Sequence, residues 1–325
     1  MSLQAGPQNF LARAARAALF AALLIVFLLF SSLSPGFLTT GNLESLLVNN
    51  FTLLAIVSVA MTFTVASGGI DLSLGAAIDF SSYAFVSLIL LGVPVPVALF
   101  AGLFAGGLVG LFNAFLIAKI GVSPFLATLG TLFVGRSVQQ LLTNGGNPIY
   151  LPQTGIPESF HLLGKGRLIG LPISLLVAFV VVCGASVMLG RTRFGRVITA
   201  AGVQADVVRY SGLALSRYLA ATYVVSGIVA ASAGLILTST VTVYIPNSGN
   251  AFLLNAIGAT FIGTTIDARA RPNILGTVLG VLLLAMVSNG LLLSGLNFYW
   301  QQVATGILIF LVLAISFATR RPQHA

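Results

Sequence analysis

The chain has 325 residues, of which 58% are hydrophobic and only 6% are charged. A soluble protein carries roughly 25% charged residues, because water must solvate its surface. A soluble globular domain is therefore excluded, and so is a disordered chain, which requires low hydrophobicity and high charge. Apolar stretches of about 20 residues recur along the sequence and exclude an outer-membrane barrel of shorter alternating strands. The composition predicts an all-α, polytopic bundle of transmembrane helices.

Hydropathy over a window of about 19 residues predicts ten membrane spans. In chain order they are residues 17–34, 46–67, 73–92, 95–118, 123–143, 171–190, 216–238, 250–266, 273–294 and 298–318. Polar residues interrupt two of them, Asp79 in the third span and Arg136 in the fifth. Arg13 and Arg16 before the first span resemble the start of a signal peptide, but the length of this apolar run favours an uncleaved span.

The positions of the basic residues provide an independent test of this span count, because the hydropathy prediction does not depend on them. With ten spans and a cytoplasmic N-terminus, twelve of the 15 Lys and Arg residues are cytoplasmic, whereas Lys165 and Arg167 lie outside and Arg136 lies within a span. This bias follows the positive-inside rule and predicts that both termini are cytoplasmic. The predicted domains are a cytoplasmic segment 1–16, a transmembrane domain 17–318 and a cytoplasmic tail 319–325.

The formal net charge of +9 does not indicate a nucleic-acid partner. Nucleic-acid binders cluster basic residues on one face, whereas here these residues lie in short gaps between apolar runs. The sequence therefore predicts that the chain is surrounded by membrane lipid and binds no nucleic acid.

Two connections between spans are long. The outside loop 144–170 is rich in Gly and Pro, which predicts an irregular surface segment. The cytoplasmic loop 191–216 contains the helix-compatible stretch Ala205–Tyr210, and Gly212 is placed to end a short helix. This loop is interpreted either as a docking surface for a partner or as a positively charged topology anchor.

The most distinctive local pattern is the motif Ser67–Gly75, which reads SGGIDLSLG. Paired glycines let the backbone leave a helix, and a following Asp or Ser can cap the next helix. The residues that define the motif are Ser67, Gly68, Gly69, Asp71, Ser73 and Gly75. The motif is interpreted either as a helix break of the kind that lines transport pathways or as a plain cytoplasmic turn.

Two ionisable residues lie deep in predicted spans. An acidic group at the position of Asp79 costs roughly 2.5–3.5 kcal/mol on insertion scales unless it faces protein, water or a partner charge. We therefore predict that Asp79 and Arg136 approach one another or share a hydrated pathway, the alternative being a side chain that snorkels from a span end.

Two amides, Asn113 and Asn289, lie in spans four and nine with glycines nearby. The sequences that follow the two amides are faintly similar. In a chain of alternating spans, the fourth and the ninth span run in opposite directions. The pattern therefore predicts an inverted repeat of spans 2–5 and 7–10. Each amide is interpreted either as a hydrogen-bonding contact between helices or as a substrate ligand.

Motifs for covalent chemistry are missing from the sequence. It has no G-x-x-x-x-G-K-[ST] phosphate loop, no G-x-S-x-G and no H-E-x-x-H, and neither His161 nor His324 lies in a span. We expect no catalytic residue, no metal site and no bound cofactor. Uphill transport would then draw its energy from a partner protein or an ion gradient.

The chain resembles the membrane permeases of bacterial ABC sugar importers of the ribose, xylose and galactose type, which are related to branched-chain amino-acid permeases. The likeness covers residues 17–318 and is carried by a combination of markers. These are Ser67–Gly75, Arg191–Gly195 with Ala200–Gly202 and Ser211–Gly212, Gly276–Thr277, Asn289–Gly290 and Tyr299–Gln302.

The resemblance implies a non-catalytic subunit in the bacterial inner membrane, paired with a second permease. It also implies a cytoplasmic ATPase that uses ATP and Mg²⁺, and a periplasmic or lipid-anchored sugar-binding protein. The cytoplasmic loop would then couple the ATPase to the pathway. The residues carried over for that role are Arg193, Gly195, Gly202, Asp206, Arg209 and Gly212.

One segment departs from the family pattern, because Gly263–Pro272 replaces a string that is usually glycine-rich. This difference leaves open whether the permease pair is a homodimer or a heterodimer. The alternative function is an ion-coupled secondary transporter, in which Asp79 and Arg136 would lie on the coupling path.

Overall fold

The computed structural model describes residues 7–152, 154–267 and 269–318. The first helices are α1 (Pro7–Leu33), α2 (Thr40–Ser45), α3 (Thr52–Ala66), α4 (Leu74–Leu90), α5 (Val95–Ala114) and α6 (Pro124–Leu142). The remaining helices are α7 (Glu158–Lys165), α8 (Ile173–Arg191), α9 (Arg193–Val203), α10 (Ala205–Tyr210), α11 (Leu215–Val241), α12 (Asn250–Thr264), α13 (Ile274–Leu293) and α14 (Phe298–Ala318). In the described part of the chain, the strands are β1 (Ile149–Tyr150), β2 (Arg167–Leu168), β3 (Leu171–Pro172) and β4 (Val243–Tyr244). The prediction of an all-α helix bundle is confirmed.

Each of the ten predicted spans coincides with a helix. Within the described residues, five helical segments are long and apolar enough to cross a membrane, and shorter apolar helices accompany them. The five are Thr40–Ala66, Val95–Ile120, Ile173–Arg191, Leu215–Val241 and Ile274–Leu293. The number of crossings and the side on which each terminus lies stay predictions. Residues 1–6 and the tail 319–325 lie outside the described residues.

Two long helices contain π-helical segments. Leu46–Phe51 joins α2 to α3, and Phe115–Ile120 extends α5 as far as Gly121. The second predicted span is therefore the C-terminal part of a longer helical segment that begins at Thr40. The Thr39 hydroxyl caps the start of this segment, because it accepts a hydrogen bond from the Asn42 N–H at 3.4 Å.

The outside loop 144–170 is more ordered than its composition predicts. It contains α7, and its strand β1 pairs antiparallel with β4. Phe160 of α7 is fully buried and stacks on Phe85 with ring centroids 4.9 Å apart. The prediction of an irregular segment is wrong here, because burial of Phe160 stabilises a helix that the local Gly and Pro content disfavours.

The loop 191–216, which the sequence predicts to be cytoplasmic, holds two helices rather than one. The predicted short helix is confirmed as α10, and Gly212 follows it with a left-handed φ of 73°. The preceding helix α9 was not predicted. Its start is capped by Thr192, whose hydroxyl accepts from the Gly195 N–H at 3.2 Å.

Helix α11 is the centre of the bundle and packs on α3, α4 and α5. It has 27 residues, so it is about 40 Å long. The Ser81 and Ser82 hydroxyls of α4 donate to carbonyl oxygens of α11, each at 3.0 Å. These bonds satisfy buried hydroxyls and fix α4 against the central helix.

Two breaks between consecutive helices meet inside the bundle. One lies between α3 and α4 and the other between α11 and α12. Gly75 and Gly249 are buried, and a methyl group on Gly249 would lie 3.0 Å from the Gly75 Cα. Helix α12 has only 15 residues, about 22 Å, which is less than the roughly 30 Å of a bilayer core. The backbones of the two breaks are thus in direct contact.

Candidate functional site

The motif Ser67–Gly75 forms the break between α3 and α4. Gly68 has a left-handed φ of 90°, which ends the helical path of α3. Asp71 is buried, and its Oδ1 accepts from the Ser73 N–H at 2.9 Å and from the Ser73 hydroxyl at 2.6 Å. The helix cap predicted here is therefore only half right. Asp71 fixes Ser73, but the Ser73 side chain makes no capping bond to α4.

A buried chain of hydrogen bonds leads from this break to two other helices. The Asn113 side chain of α5 donates to the Ser73 hydroxyl at 2.6 Å. The Thr131 hydroxyl of α6 donates to the Asn113 Oδ1 at 2.6 Å. Because Asp71 accepts from Ser73, four side chains are connected across the break, α5 and α6. A shift of the break would change the position of all of them.

The start of the motif is wedged between α6 and α11. A methyl group on Gly69 would lie 2.5 Å from the Tyr223 hydroxyl oxygen and 2.7 Å from Cβ of Pro124. The Thr128 hydroxyl donates to the Ile70 carbonyl at 3.1 Å. Tyr223 is fully buried, and its hydroxyl has no hydrogen-bond partner. Only glycine fits at position 69 in this arrangement.

The motif also contacts the cytoplasmic loop. A methyl group on Gly68 would lie 3.1 Å from the Gly202 Cα, at the end of α9. A methyl group on Gly202 would overlap the Ala66 carbonyl oxygen and lie 2.9 Å from the Gly68 nitrogen. The resemblance assigned Gly202 to the loop, and the structure gives it a physical role as the point of backbone contact with the break.

The other loop residues lie around this contact. Gly195 is buried against the end of α8, where a methyl group would lie 2.6 Å from the Leu189 Cα. Arg193 is exposed. Asp206 and Arg209 form an ion pair of 3.3 Å on α10, with each side chain about two-thirds exposed. An exposed ion pair of this kind contributes little to stability, so these two side chains are free to contact a partner.

Asp79 is fully buried on α4 and binds the other break. Its Oδ1 accepts from the Gly249 N–H at 2.8 Å and from the Ser248 hydroxyl at 3.1 Å. Its Oδ2 has no hydrogen-bond partner. The carboxyl group of α4 therefore binds the turn that leads directly into α12, at the N-cap residue Gly249 and at Ser248 before it.

Gln139 of α6 holds the same segment from the other side. Its Oε1 accepts from the Asn247 N–H at 2.8 Å and from the Tyr244 hydroxyl at 3.2 Å. The turn before α12 is thus bound by α4 and by α6, so it can respond to movement of either helix.

The predicted approach of Asp79 and Arg136 is not seen. Arg136 is exposed on α6, whereas Asp79 is buried against Ser248 and Gly249. In the described part of the chain, the ion pairs are Arg167–Glu44 and Asp206–Arg209. A direct pairing is therefore wrong for this conformation. A shared hydrated pathway stays a prediction.

Asn289 lies at a separate contact. Its amide exchanges two hydrogen bonds of 3.0 Å with the amide of Asn42, which ties α13 to α2. Asn113, by contrast, belongs to the hydrogen-bond chain at the break. Both amides join helices, so the structure gives each a packing role, and their part in substrate movement stays a prediction.

We expect the Asn42–Asn289 pair to couple α2 and α13 by about 0.6 kcal/mol, the average for side-chain hydrogen bonds between membrane helices, and by no more than about 1.7 kcal/mol, the largest value in that set. A double-mutant cycle of Asn42→Ala and Asn289→Ala, followed by unfolding in mixed micelles, measures this coupling. Strictly additive single effects would show that the reciprocal bonds contribute nothing.

Several residues at the break were missed by sequence reasoning. Thr131 and Tyr223 carry no signal, because hydroxyl residues are common in membrane helices, and Ser248 lies in a short turn between α11 and α12 that has no distinctive pattern. Gln139 had one, since it interrupts the apolar pattern of the fifth span. The described residues contain no group of three or more His, Cys, Asp or Glu that could hold a metal ion.

Comparisons with known proteins give consistent matches over most of the chain. A family model described as "Branched-chain amino acid transport system / permease component" matches residues 43–313. The ribose import permease protein RbsC of Bacillus subtilis (strain 168) is 34% identical over 299 residues, which cover 91% of each chain. RbsC of Escherichia coli (strain K12) is 32% identical over 294 residues, 90% of this chain and 91% of that protein.

A third relative differs in its stated substrate. The autoinducer 2 import system permease protein LsrD of Yersinia pseudotuberculosis (strain YPIII) is 33% identical over 294 residues, 90% of this chain and 88% of that protein. No solved structure gives a significant match to the chain.

Proposed function

The chain belongs to the family of branched-chain amino-acid transport system permease components, and from that premise we propose that it forms the membrane pathway of an ATP-driven importer. It lies in the inner membrane of a bacterium and works as a permease subunit. The cargo is a monosaccharide or a similar small polar solute, as the named cargoes of the relatives, ribose and autoinducer 2, support.

The permease has no catalytic role in this proposal. ATP and Mg²⁺ are used by a separate cytoplasmic ATPase, since the sequence contains no phosphate loop. A sugar-binding protein, soluble in the periplasm or lipid-anchored, delivers the cargo to the outside loops. The permease itself binds no cofactor.

The backbone contact between Gly68 and Gly202 is the observation that carries this proposal. It places the end of the cytoplasmic helix α9 directly against the break between α3 and α4. Close-packed backbones cannot absorb a displacement as flexible side chains do. A movement imposed on the loop by the ATPase would therefore shift the break.

The hydrogen-bond chain extends this route to α6. A shifted break displaces Ser73, which holds Asn113 and through it Thr131. Arg136 is exposed on the same helix, and a charged group that faces lipid near the bilayer centre is costly. We therefore place the outer face of α6 against water or the partner permease, which is either a second copy or an unlike chain.

The meeting of the two breaks supports the proposed ten-span topology and inverted repeat. In that topology, α3 and α11 are corresponding spans that run in opposite directions, and each is followed by a break. Contact between Gly75 and Gly249 then brings a break from each side of the membrane to a common depth. Transporters built from inverted repeats place discontinuous helices near the midplane in this way.

The domain boundaries follow from this topology. Residues 17–318 form the transmembrane domain between the cytoplasmic segment 1–16 and the tail 319–325. Within it, the loop 191–216 couples to the ATPase, and the loop 144–170 faces the binding protein.

The ATPase docking surface is tested with Tyr210. This residue is 92% exposed at the end of α10, and Val207 beside it is 52% exposed. Tyrosine is enriched among interface hot spots, whose truncation to alanine costs about 2 kcal/mol or more, so with Tyr210 as the anchor of this surface Tyr210→Ala should weaken ATPase binding by about thirty-fold. Binding of the purified cognate ATPase to the detergent-solubilised chain measures the effect.

Tyr150 supplies the matched control, because it is 70% exposed but lies on the outside loop. Tyr150→Ala should leave ATPase binding unchanged. Equal losses from both variants, or none from Tyr210→Ala, would contradict docking on the cytoplasmic loop.

A further inference from the structure

A groove lies beside the coupling loop on the cytoplasmic side of the bundle. It is formed by the end of α8, by α9 and by the segment that leads into α13. Its volume is about 640 Å³, within the roughly 300–1,000 Å³ of small-molecule sites. Part of its wall is formed by Asp267, Arg271 and Pro272, which come from the segment that departs from the family pattern and that the proposed transport function does not use.

The groove carries an excess of positive charge. Arg196 and Arg271 line it, against a single acidic residue, Asp267, whose Oδ1 already accepts from the Arg269 N–H at 2.7 Å. In the described part of the chain, neither arginine forms an ion pair. Arg196 donates one hydrogen bond to the Arg191 carbonyl at 3.1 Å, which leaves most of its donors unused.

The lining of the groove also includes polar residues, Ser186, Thr199 and Asn273, and two leucines. Leu189, in the last turn of α8, is buried, whereas Leu275, in the first turn of α13, is 71% exposed. Gly190 presents no side chain and has open space beside it. The arginines therefore line a groove at the end of one apolar helix, α8, and the start of another, α13, where Leu275 is an exposed apolar side chain.

We propose that this groove binds an anionic phospholipid of the cytoplasmic leaflet. The phosphate lies against Arg196 and Arg271, and the first part of an acyl chain lies along the exposed Leu275. Basic pockets between membrane helices on the cytoplasmic side suit such headgroups, because the phosphate supplies the acceptors that the arginines lack. A bound lipid would fill the space between α9 and α13 and steady the loop that the ATPase contacts.

Lipid titration of the purified full-length chain tests the proposal by native mass spectrometry. Phosphatidylglycerol should bind and phosphatidylcholine should not. An arginine near the membrane surface contributes about 1 kcal/mol to anionic lipid binding, so Arg271→Gln should weaken it about five-fold and Arg196→Gln/Arg271→Gln about thirty-fold. Arg196→Lys/Arg271→Lys should retain binding within a few-fold, which shows that the double change is tolerated by the fold.

Arg217→Gln is the matched control, because Arg217 is an exposed cytoplasmic arginine outside the groove. It should leave phosphatidylglycerol binding unchanged. Equal binding by wild type and the glutamine variants would overturn the proposal, as would an equal loss from Arg217→Gln. Glutamine variants that keep lipid but lose ATPase binding would assign the groove to the protein partner. Displacement of the lipid by equimolar inorganic phosphate would show that the acyl chain makes no contact.

Discussion

Replacing Gly202 with alanine should lower sugar uptake at least ten-fold while the ATPase stays bound. The added methyl group would overlap the Ala66 carbonyl oxygen and crowd the Gly68 nitrogen at 2.9 Å. Overpacking of this kind typically costs about 1–3 kcal/mol, and here only movement of α9 away from the break relieves it. ATP hydrolysis should continue, so the number of sugars moved per ATP falls. Uptake and hydrolysis measured together in proteoliposomes give this ratio.

The control for Gly202 is another helical glycine that has room for a methyl group. Gly184 on α8 has no atom within 4 Å of that position. Gly184→Ala should keep the wild-type ratio and gain helix propensity. A Gly202→Ala variant with a wild-type ratio of sugar to ATP would show that the break does not receive motion through this contact.

Asp79→Ala should be the most destabilising of the single substitutions considered, with a loss of about 3 kcal/mol or more. It removes the acceptor for the buried Gly249 N–H and for the partly buried Ser248 hydroxyl, and both donors lose their partner. An unsatisfied buried polar group costs about 1–3 kcal/mol. Asp79→Asn keeps one carbonyl oxygen that can accept from both donors, so its loss should be smaller than that of Asp79→Ala. Unfolding in mixed micelles compares the two variants.

Asp206→Ala serves as the control for stability. Its carboxylate is 65% exposed in an i,i+3 ion pair, so its removal should change the free energy of unfolding by less than about 0.5 kcal/mol. If Asp79→Ala is no worse than Asp206→Ala, the carboxyl group does not hold the start of α12.

The sequence predicted the helices well, because apolar runs long enough to span a bilayer are a local property. The helix Ala205–Tyr210 was equally readable from its composition and from Gly212. The break at Ser67–Gly75 was visible in its paired glycines. By contrast, α9 lies in a charged loop, and α7 is stabilised by burial of Phe160, so neither has a strong local signal.

The contacts of the candidate site could not be predicted, since they join segments far apart in the chain. Asp79 was recognised as a costly buried charge, but its partners proved to be a backbone N–H and a serine rather than Arg136. Hydropathy does not reveal which carbonyl or amide a polar side chain will meet. Likewise, the sequence pattern flagged Gly202 without showing that Gly68 is its neighbour.

Uptake of labelled sugar by proteoliposomes is the most direct test that this chain is the pathway of an ATP-driven importer. The vesicles contain the chain, its cognate ATPase and the binding protein, with ATP supplied on the ATPase side. We predict uptake that requires both ATP and the ATPase and that persists when ionophores collapse every ion gradient. Uptake by the chain without the ATPase, driven by an ion gradient and abolished by ionophores, would contradict the account and identify a secondary transporter.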